Sequence, residues 1–259
     1  MYQFRRELGW TDDENPGFGA SYTDYAGETV AGNTFDYPYV HGKAIVEAGY
    51  PFTSCSNEAF CSDDAFMKEA WSVDLICGKQ VTVTVGNGMQ QKYRVFDEKM
   101  QKVLKEYTGL GGNVLVSGSN IGTDIWDKVY PIRTDSLSVK ESKEFAEKVL
   151  GYRWMTNYAG RRGTVIPTFN RKIDFGKYAY AFHNTLNPHC YCVETPDGIV
   201  PASDSGATVM RYSDTNVSAG ICHEGNGYRT VCLGFPIETL KSETDIDQII
   251  RITLEFFEK

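Results

Sequence analysis

The clearest hydrophobic pattern in the chain runs through residues 96–127. One face of the first helix in this stretch is apolar, at Phe96, Met100, Val103, Leu104 and Tyr107. Gly111 and Gly112 end that helix, and the apolar run 114–116 then predicts a buried strand. Small residues at 117–120 form a turn before a second helix begins near Thr123. This order predicts an α/β unit with the 117–120 turn at the carboxyl end of its strand.

The same alternation of helices and strands occurs on both sides of this stretch. Apolar spacing predicts a helix after Asp36, a buried strand at 73–77, an amphipathic helix at 141–150 and a last helix from Ile246 to Phe257. Gly86-Asn87-Gly88 separates the strand-like runs 81–85 and 90–95 and predicts a β-hairpin. Strands and helices joined by short loops favour a mostly parallel sheet that is covered by helices on both faces.

Two parts of the chain depart from that alternation. Residues 1–35 are rich in turn-forming and aromatic residues, and we interpret them as an irregular N-terminal segment. Residues 152–202 contain strand-like runs and hairpin turns, which predicts an antiparallel β-rich insertion. Because no linker-like stretch divides the chain, residues 1–259 are expected to form a single α/β domain.

Composition and charge narrow the class of protein. At 29.0 kDa the chain is long enough to bury a large core, and its net charge of −8 with scattered Lys and Arg argues against nucleic-acid binding. No apolar run approaches the ~20 residues that span a membrane, and the N-terminus lacks the apolar core of a signal peptide. The seven cysteines do not show zinc-site spacing, and no nucleotide-binding glycine motif is present, so we expect neither a metal nor a cofactor. The spacing of Cys55 and Cys61 allows a disulfide between them but does not require one.

Candidate chemistry lies at the carboxyl ends of the predicted strands, where ligands bind in open α/β sheets. A serine in a strand-to-helix turn is exposed beside backbone amides, so Ser119 is a candidate nucleophile. A nucleophilic serine needs a base, and we predict that His41 lies close to it. The candidate ligand-binding residues at this rim are Lys79, Gln80, Ser117 and Asn120.

Glu238 and Arg229 belong to one segment near the end of the chain. Arg229 begins a predicted strand and Glu238 follows the turn after it. A strand rises about 3.3 Å per residue, so the two side chains should lie near opposite ends of the strand and cannot pair directly. We predict that Glu238 lies at the carboxyl rim close to the 117–120 turn, bonded to backbone amides or to a cation such as Lys79, as a candidate acid/base group. Arg229 is a candidate binding residue.

Four separated segments carry a resemblance to a known family. The segments are 36–44, 73–80, 112–119 and 228–238, and together they resemble a family of Bacteroidetes proteins labelled xanthan lyases. Its members are typically secreted multidomain proteins. The resemblance implies a flavodoxin-like three-layer sandwich of the class I glutamine amidotransferase type, and it implies a secreted or periplasmic location. Members often carry an earlier first strand that we do not find in this sequence.

The amidotransferase pattern is only partly present. That fold places a cysteine at the turn where this sequence has Ser117-Gly118-Ser119, and its late His-x-Glu pair has only Glu238 as a counterpart. Glutamine hydrolysis is therefore not expected. One hypothesis is a module that acts on or binds polysaccharide, as a lyase or hydrolase that uses Ser119, His41 and Glu238. The alternative is a non-catalytic carbohydrate-binding or scaffold module, in which exposed aromatic residues at 1–35 and 152–191 stack on sugar rings.

Overall fold

The computed structural model describes residues 37–62, 69–85, 90–127, 139–185, 187 and 190–259, with only the backbone given at 83–85 and 90–92. The irregular segment expected at 1–35 lies outside these residues. The described helices are α1 (Tyr37–Glu47), α2 (Asn57–Phe60), α3 (Glu98–Gly109), α4 (Thr123–Trp126), α5 (Val139–Phe145) and α6 (Glu243–Phe257). A π-helical turn, Ala146–Leu150, continues α5. A 3₁₀ turn, Ile237–Thr239, precedes α6.

Eleven strands are described. They are β1 (Ser72–Gly78), β2 (Val83–Val85), β3 (Gln90–Lys92), β4 (Asn113–Gly118), β5 (Tyr152–Thr156), β6 (Thr164–Pro167), β7 (Tyr180–Ala181), β8 (Gly198–Pro201), β9 (Gly206–Tyr212), β10 (Ser218–Glu224) and β11 (Arg229–Leu233). The main sheet has seven strands in the order β1-β4-β11-β10-β9-β6-β7. The pairs β1·β4 and β4·β11 are parallel, and the remaining pairs of this sheet are antiparallel.

The mixed sheet corrects one part of the predicted fold. The α/β class holds, but parallel pairing is confined to β1, β4 and β11. Strands β6 and β7 of the predicted insertion extend the main sheet, whereas β5 and β8 form a separate two-stranded sheet. The predicted hairpin is present as the antiparallel pair β2·β3, with its turn outside the described residues.

Hydrophobic residues pack on both faces of the main sheet. β4 is fully buried, and its side chains alternate between two clusters: Leu115 belongs to one, and Val114 and Val116 to the other. The Leu115 cluster contains the inner face of α6, and the other contains the apolar face of α3. Helices therefore cover both faces of the parallel strands.

The helix predicted before β4 forms for the expected local reasons. The Asp97 side chain accepts a hydrogen bond from Met100 N at 2.8 Å and caps the first turn of α3. Gly111 follows the helix with φ of +93°, a conformation that glycine adopts without steric cost. The chain then enters β4 directly, which brings the end of that strand beside the end of β1.

Candidate functional site at the rim of the parallel strands

The turn after β4 is hydrogen-bonded to the turn after β1. Ser119 N donates to Gly78 O at 2.9 Å, and the Ser119 hydroxyl donates to the same oxygen at 3.3 Å. Asn120 Nδ2 donates to Lys79 O at 3.2 Å and lies 3.2 Å from the Ser119 hydroxyl. Gly78 has φ of +51°, which lets the backbone turn sharply at this edge. The rim forms where it was predicted, but Ser119 is only 1% exposed.

A cluster of four polar side chains lies at the same rim: His41 and Glu238 are buried, and Asp74 and Tyr191 are half-buried. His41 on α1 lies between two carboxylates: its Nδ1 is 2.6 Å from Asp74 Oδ2 on β1, and its Nε2 is 3.3 Å from Glu238 Oε2 in the 3₁₀ turn. The Tyr191 hydroxyl donates to the other Glu238 oxygen, Oε1, at 2.7 Å. A Cβ placed on Gly78 would lie 3.2 Å from the Tyr191 hydroxyl and 3.6 Å from Glu238 Oε1, so the cluster lies directly against the rim.

The two carboxylates fix the protonation state of His41. Burial alone disfavours the charged imidazolium, but the charges and hydrogen bonds of Asp74 and Glu238 outweigh that effect and raise the pKa of His41 to about 10. Both ring nitrogens then carry a proton at neutral pH, and each can donate to one carboxylate. His41 is therefore a buried cation held between two acceptors, and it has no free nitrogen that could accept a proton.

The remaining members of the cluster are also enclosed. Burial, followed by the charge of Glu238, raises the pKa of Tyr191 well above its ordinary value, so Tyr191 stays a neutral donor. The Glu238 side chain is 0% exposed. The second Asp74 oxygen, Oδ1, is buried and has no hydrogen-bond partner among the described residues. In the described part of the chain, no three His, Cys, Asp or Glu side chains converge so as to hold a metal ion.

The structure brings together two of the three predicted catalytic residues. His41 and Glu238 are in contact, whereas both nitrogens of His41 are taken by carboxylates and the Ser119 hydroxyl faces a backbone carbonyl. For Glu238 the prediction was backbone amides or a cation such as Lys79; the cation found beside it is His41, its second partner is Tyr191, and Lys79 pairs with Glu194 instead. The predicted rim position of Glu238 agrees with its contact to Gly78.

The predicted binding residues have other partners. Lys79 Nζ pairs with Glu194 at 2.6 Å, with both side chains partly exposed, and Gln80 Nε2 donates to Arg94 O at 2.8 Å. Ser117 is 0% exposed, and its hydroxyl has no partner among the described residues. These contacts hold the rim together rather than leave polar groups free for a ligand.

Arg229 lies at the opposite end of the parallel strands from the carboxyl rim. Its backbone N donates to Asn113 Oδ1 at 2.8 Å, at the amino end of β4, and its guanidinium donates to Phe257 O at 3.3 Å. The guanidinium also lies over the Phe256 ring, 5.6 Å from the centroid. The separation of Arg229 from Glu238 agrees with the strand-rise argument, and it removes Arg229 from the group of rim residues.

Sequence reasoning missed two members of the buried cluster. Asp74 was hidden inside the apolar run of β1, although a carboxylate in a buried strand is itself a signal that a partner is needed. Tyr191 was one of 16 tyrosines, and nothing local distinguished it from the others. Its partner Glu238 lies 47 positions away in the chain, which spacing rules cannot reveal.

Another buried carboxylate, Asp197, lies in the 152–202 segment, where strand-like runs and hairpin turns were expected. It accepts hydrogen bonds from Gly122 N at 2.6 Å and Thr123 N at 2.9 Å, at the amino end of α4. The Thr123 hydroxyl donates to it at 2.5 Å and Trp154 Nε1 at 3.0 Å. Burial raises the pKa of Asp197 to about 7, although these four donors oppose the shift. Asp197 therefore joins the β-rich insertion to the α/β unit.

Other sequence expectations concern the cysteines and the membrane. All seven cysteines are described and all are free, so Cys55 and Cys61 are not joined. No described helix has the length and apolar character that crossing a bilayer requires.

Comparisons with known proteins give little beyond the fold class seen directly. No family model and no curated protein matches the chain. Among solved structures, a protein described as part of a GMP synthase from Thermoplasma acidophilum matches with a TM-score of 0.48 and 13% identity, over 88% of this chain and 93% of that one. We draw no conclusion about fold or activity from a likeness this distant. The resemblance to the Bacteroidetes family accordingly stays a prediction.

Proposed function

We propose that this chain is a non-catalytic polysaccharide-binding module. Its core would be a flavodoxin-like domain of the class I glutamine amidotransferase type, in a secreted protein of the xanthan lyase-labelled Bacteroidetes family. The sequence resemblance at 36–44, 73–80, 112–119 and 228–238 supports the family and the polysaccharide ligand. Three of the described segments, 73–78, 113–118 and 229–233, form the parallel strands β1, β4 and β11.

The state of His41 carries the conclusion that the module is non-catalytic. A general base must reach the proton that it removes and must be unprotonated at the working pH. His41 is 1% exposed, both its nitrogens face carboxylates, and its pKa is raised to about 10. The Ser119 hydroxyl, the candidate nucleophile, donates to a backbone carbonyl. Among the residues that the structure describes, the rim is thus bonded internally and holds no activated nucleophile.

Exposed aromatic residues support binding. In the β-rich part of the chain Tyr158 is 59% exposed, Phe169 94% and Tyr178 88%. Large aromatic rings bury surface readily in a folded protein, so rings that stay exposed to this extent are available to a partner. Flat faces of this kind can stack on the apolar faces of sugar rings.

The test is a paired measurement of binding and cleavage. The protein is run in native gels that contain one of a panel of neutral and acidic polysaccharides. The same polysaccharides are incubated with it and assayed for new reducing ends and for the ultraviolet absorbance of unsaturated uronates. We expect retarded migration with at least one polysaccharide and no cleavage product.

A Ser119→Ala variant separates the alternatives. If the module is non-catalytic, the variant binds as the wild type does and neither protein yields product. Cleavage by the wild type that Ser119→Ala abolishes would show that the rim is an active site. Absence of binding to every polysaccharide in the panel would remove the proposed function itself.

A further inference from the structure

One loop of the inserted β-region joins β6 to β7 and comprises residues 168–179, here called the β6–β7 loop. Four of its large side chains are exposed: Phe169, Arg171, Lys177 and Tyr178. β6 and β7 pair antiparallel through Val165 and Tyr180, so Phe169 and Tyr178 leave the same end of this strand pair. The two most exposed aromatic rings of the described chain therefore belong to one loop at the edge of the sheet.

Buried side chains inside the loop hold its backbone in place. Ile173 is 3% exposed and Phe175 1%, and both pack into the core that contains α6. Phe175 O accepts hydrogen bonds from the Tyr180 hydroxyl at 2.5 Å and from Gln248 Nε2 at 3.3 Å.

Local hydrogen bonds shape the two halves of the loop. Asn170 Oδ1 accepts from Lys172 N and Ile173 N, each at 3.0 Å, in the first half. Asp174 Oδ1 accepts from Gly176 N at 2.8 Å in the second, where Gly176 has φ of +89°. A loop fixed at its centre presents its exposed side chains without a large ordering cost on binding.

The loop is cationic in an acidic protein. It carries Arg171, Lys172 and Lys177 against one carboxylate, Asp174, for a net charge of +2, whereas the whole chain has a net charge of −8. Lys172 is paired with Glu224. Arg171 and Lys177 have no side-chain partner among the described residues, so their charges are available to a ligand.

We propose that the β6–β7 loop is the surface on which this module binds an acidic, uronate-bearing polysaccharide. Phe169 and Tyr178 stack on sugar rings, and Arg171 and Lys177 pair with the carboxylates of the uronates. The inference rests on the proposed function and adds to it both the site and the charge of the ligand.

Charge favours a polysaccharide over other polyanions. Nucleic acid and anionic membranes carry dense negative charge, and binding to them normally requires a broad basic surface on the protein. The β6–β7 loop offers two cations, Arg171 and Lys177, and the chain as a whole has a net charge of −8. A polymer whose charges are spaced one per sugar ring or more widely, with apolar ring faces between them, matches two cations beside two aromatic rings.

The experiment uses the full chain and two polysaccharides, polygalacturonate as the uronate probe and dextran as the uncharged one. Two loop variants, Phe169→Ala/Tyr178→Ala and Arg171→Gln/Lys177→Gln, are compared with two controls. The aromatic control is Tyr39→Ala, which removes a ring that is 69% exposed on α1. The charge control is Lys140→Gln/Lys148→Gln, which removes two exposed lysines on α5 and the π-helical turn. Unchanged melting temperatures confirm that every variant is folded.

Each loop variant should weaken binding of polygalacturonate roughly tenfold or more, since each removes two stacking contacts or two charge-assisted contacts. Added sodium chloride should weaken wild-type binding, and it should do so less in Arg171→Gln/Lys177→Gln. Both controls should bind as the wild type does.

Three results would overturn the proposal. If both loop variants bind polygalacturonate as the wild type does, the β6–β7 loop is not the binding surface, although the proposed polysaccharide-binding function still holds. Equal affinity for dextran and polygalacturonate would show that the ligand need not carry uronate carboxylates. Tighter, loop-dependent binding of single-stranded RNA or of phosphatidylserine vesicles would assign the loop to a different partner.

Discussion

Three ionisable side chains are in contact in a space from which water is almost excluded: His41, Asp74 and Glu238. A charge in such a place is tolerated only when it is paired and hydrogen-bonded. His41 meets that condition by facing a carboxylate at each ring nitrogen, and Tyr191 supplies a further donor to Glu238. The arrangement links α1, β1 and the 3₁₀ turn, so its role at the residue scale is to fix the positions of these elements.

The contribution of Tyr191 can be measured with Tyr191→Phe. The variant keeps the ring but leaves Glu238 Oε1 without its 2.7 Å donor, so we expect a loss of about 1–3 kcal/mol in the free energy of unfolding, measured by urea denaturation. Tyr158→Phe, at a tyrosine that is 59% exposed, should stay within ~0.5 kcal/mol of the wild type. Equal losses in the two variants would show that the hydrogen bond does not stabilise the fold.

At the scale of elements, Asp197 links the β-rich insertion to the α/β unit, a role that the predicted hairpin turns of residues 152–202 did not indicate. It accepts hydrogen bonds from the Gly122 and Thr123 amides at the start of α4 and from the Trp154 indole N–H on β5, and so connects the small β5·β8 sheet to the turn that follows β4. The short helix α4 has no capping side chain of its own, since its N-cap residue is Gly122. Asp197 supplies the missing acceptor from a distant part of the chain.

The variant Asp197→Ala leaves four donors without their acceptor, three of them buried and one, the Trp154 indole N–H, partly buried. We expect it to lower the free energy of unfolding by roughly 3 kcal/mol or more, because each unsatisfied buried group costs about 1–3 kcal/mol. Faster amide hydrogen exchange in α4 and β5 should accompany the loss. Asp204→Ala, at an exposed carboxylate in the loop between β8 and β9, is the control and should be nearly neutral. Normal exchange in α4 of Asp197→Ala would contradict the proposed connection.

The elements also show how far the sequence could be followed. The apolar period of α3, the Asp97 cap and the small-residue turn after β4 are local signals, and the structure contains all three features. Pairing of β6 with β9 and the Asp197 contacts join residues more than 40 positions apart, and no local pattern encodes them. Long sequence separation also limited the prediction of the site. The sequence predicted Ser119 and Glu238 at the rim, but the His41 partner of Glu238 lies on α1, 197 positions away in the chain.

At the scale of the whole molecule, the rim of the parallel strands and the proposed binding loop, β6–β7, have different roles. The rim of the parallel strands is closed by its own hydrogen bonds and is part of the stability of the domain. The free aromatic and cationic side chains lie instead on the antiparallel extension, at the far end of the sheet order from β1. The proposed binding at the β6–β7 loop, away from the carboxyl rim, is consistent with the general separation of fold from function.

The charged state of His41 makes the stability of the molecule depend on pH. The pKa of His41 is raised from 6.5 in the unfolded chain to about 10 in the folded one, so the folded state holds the proton more tightly. Its contribution to stability is fully present below about pH 6.5 and is lost as the pH rises through about 10. Burial also raises the pKa values of Cys77 and Cys232, and their titration lowers stability in the same direction at alkaline pH.

A comparison with His41→Gln isolates the histidine from the cysteines. Gln keeps hydrogen-bonding capacity but cannot carry the charge, so the variant should be less stable than the wild type by several kcal/mol near pH 6. The difference in unfolding free energy between the two proteins, from urea denaturation at a series of pH values, should narrow steadily towards about pH 10. His223→Gln serves as the control, because burial lowers the pKa of His223 and its removal should leave the alkaline slope unchanged. A difference between wild type and His41→Gln that stays constant from about pH 6 to about 10 would show that His41 is not the buried cation inferred from its two carboxylate partners.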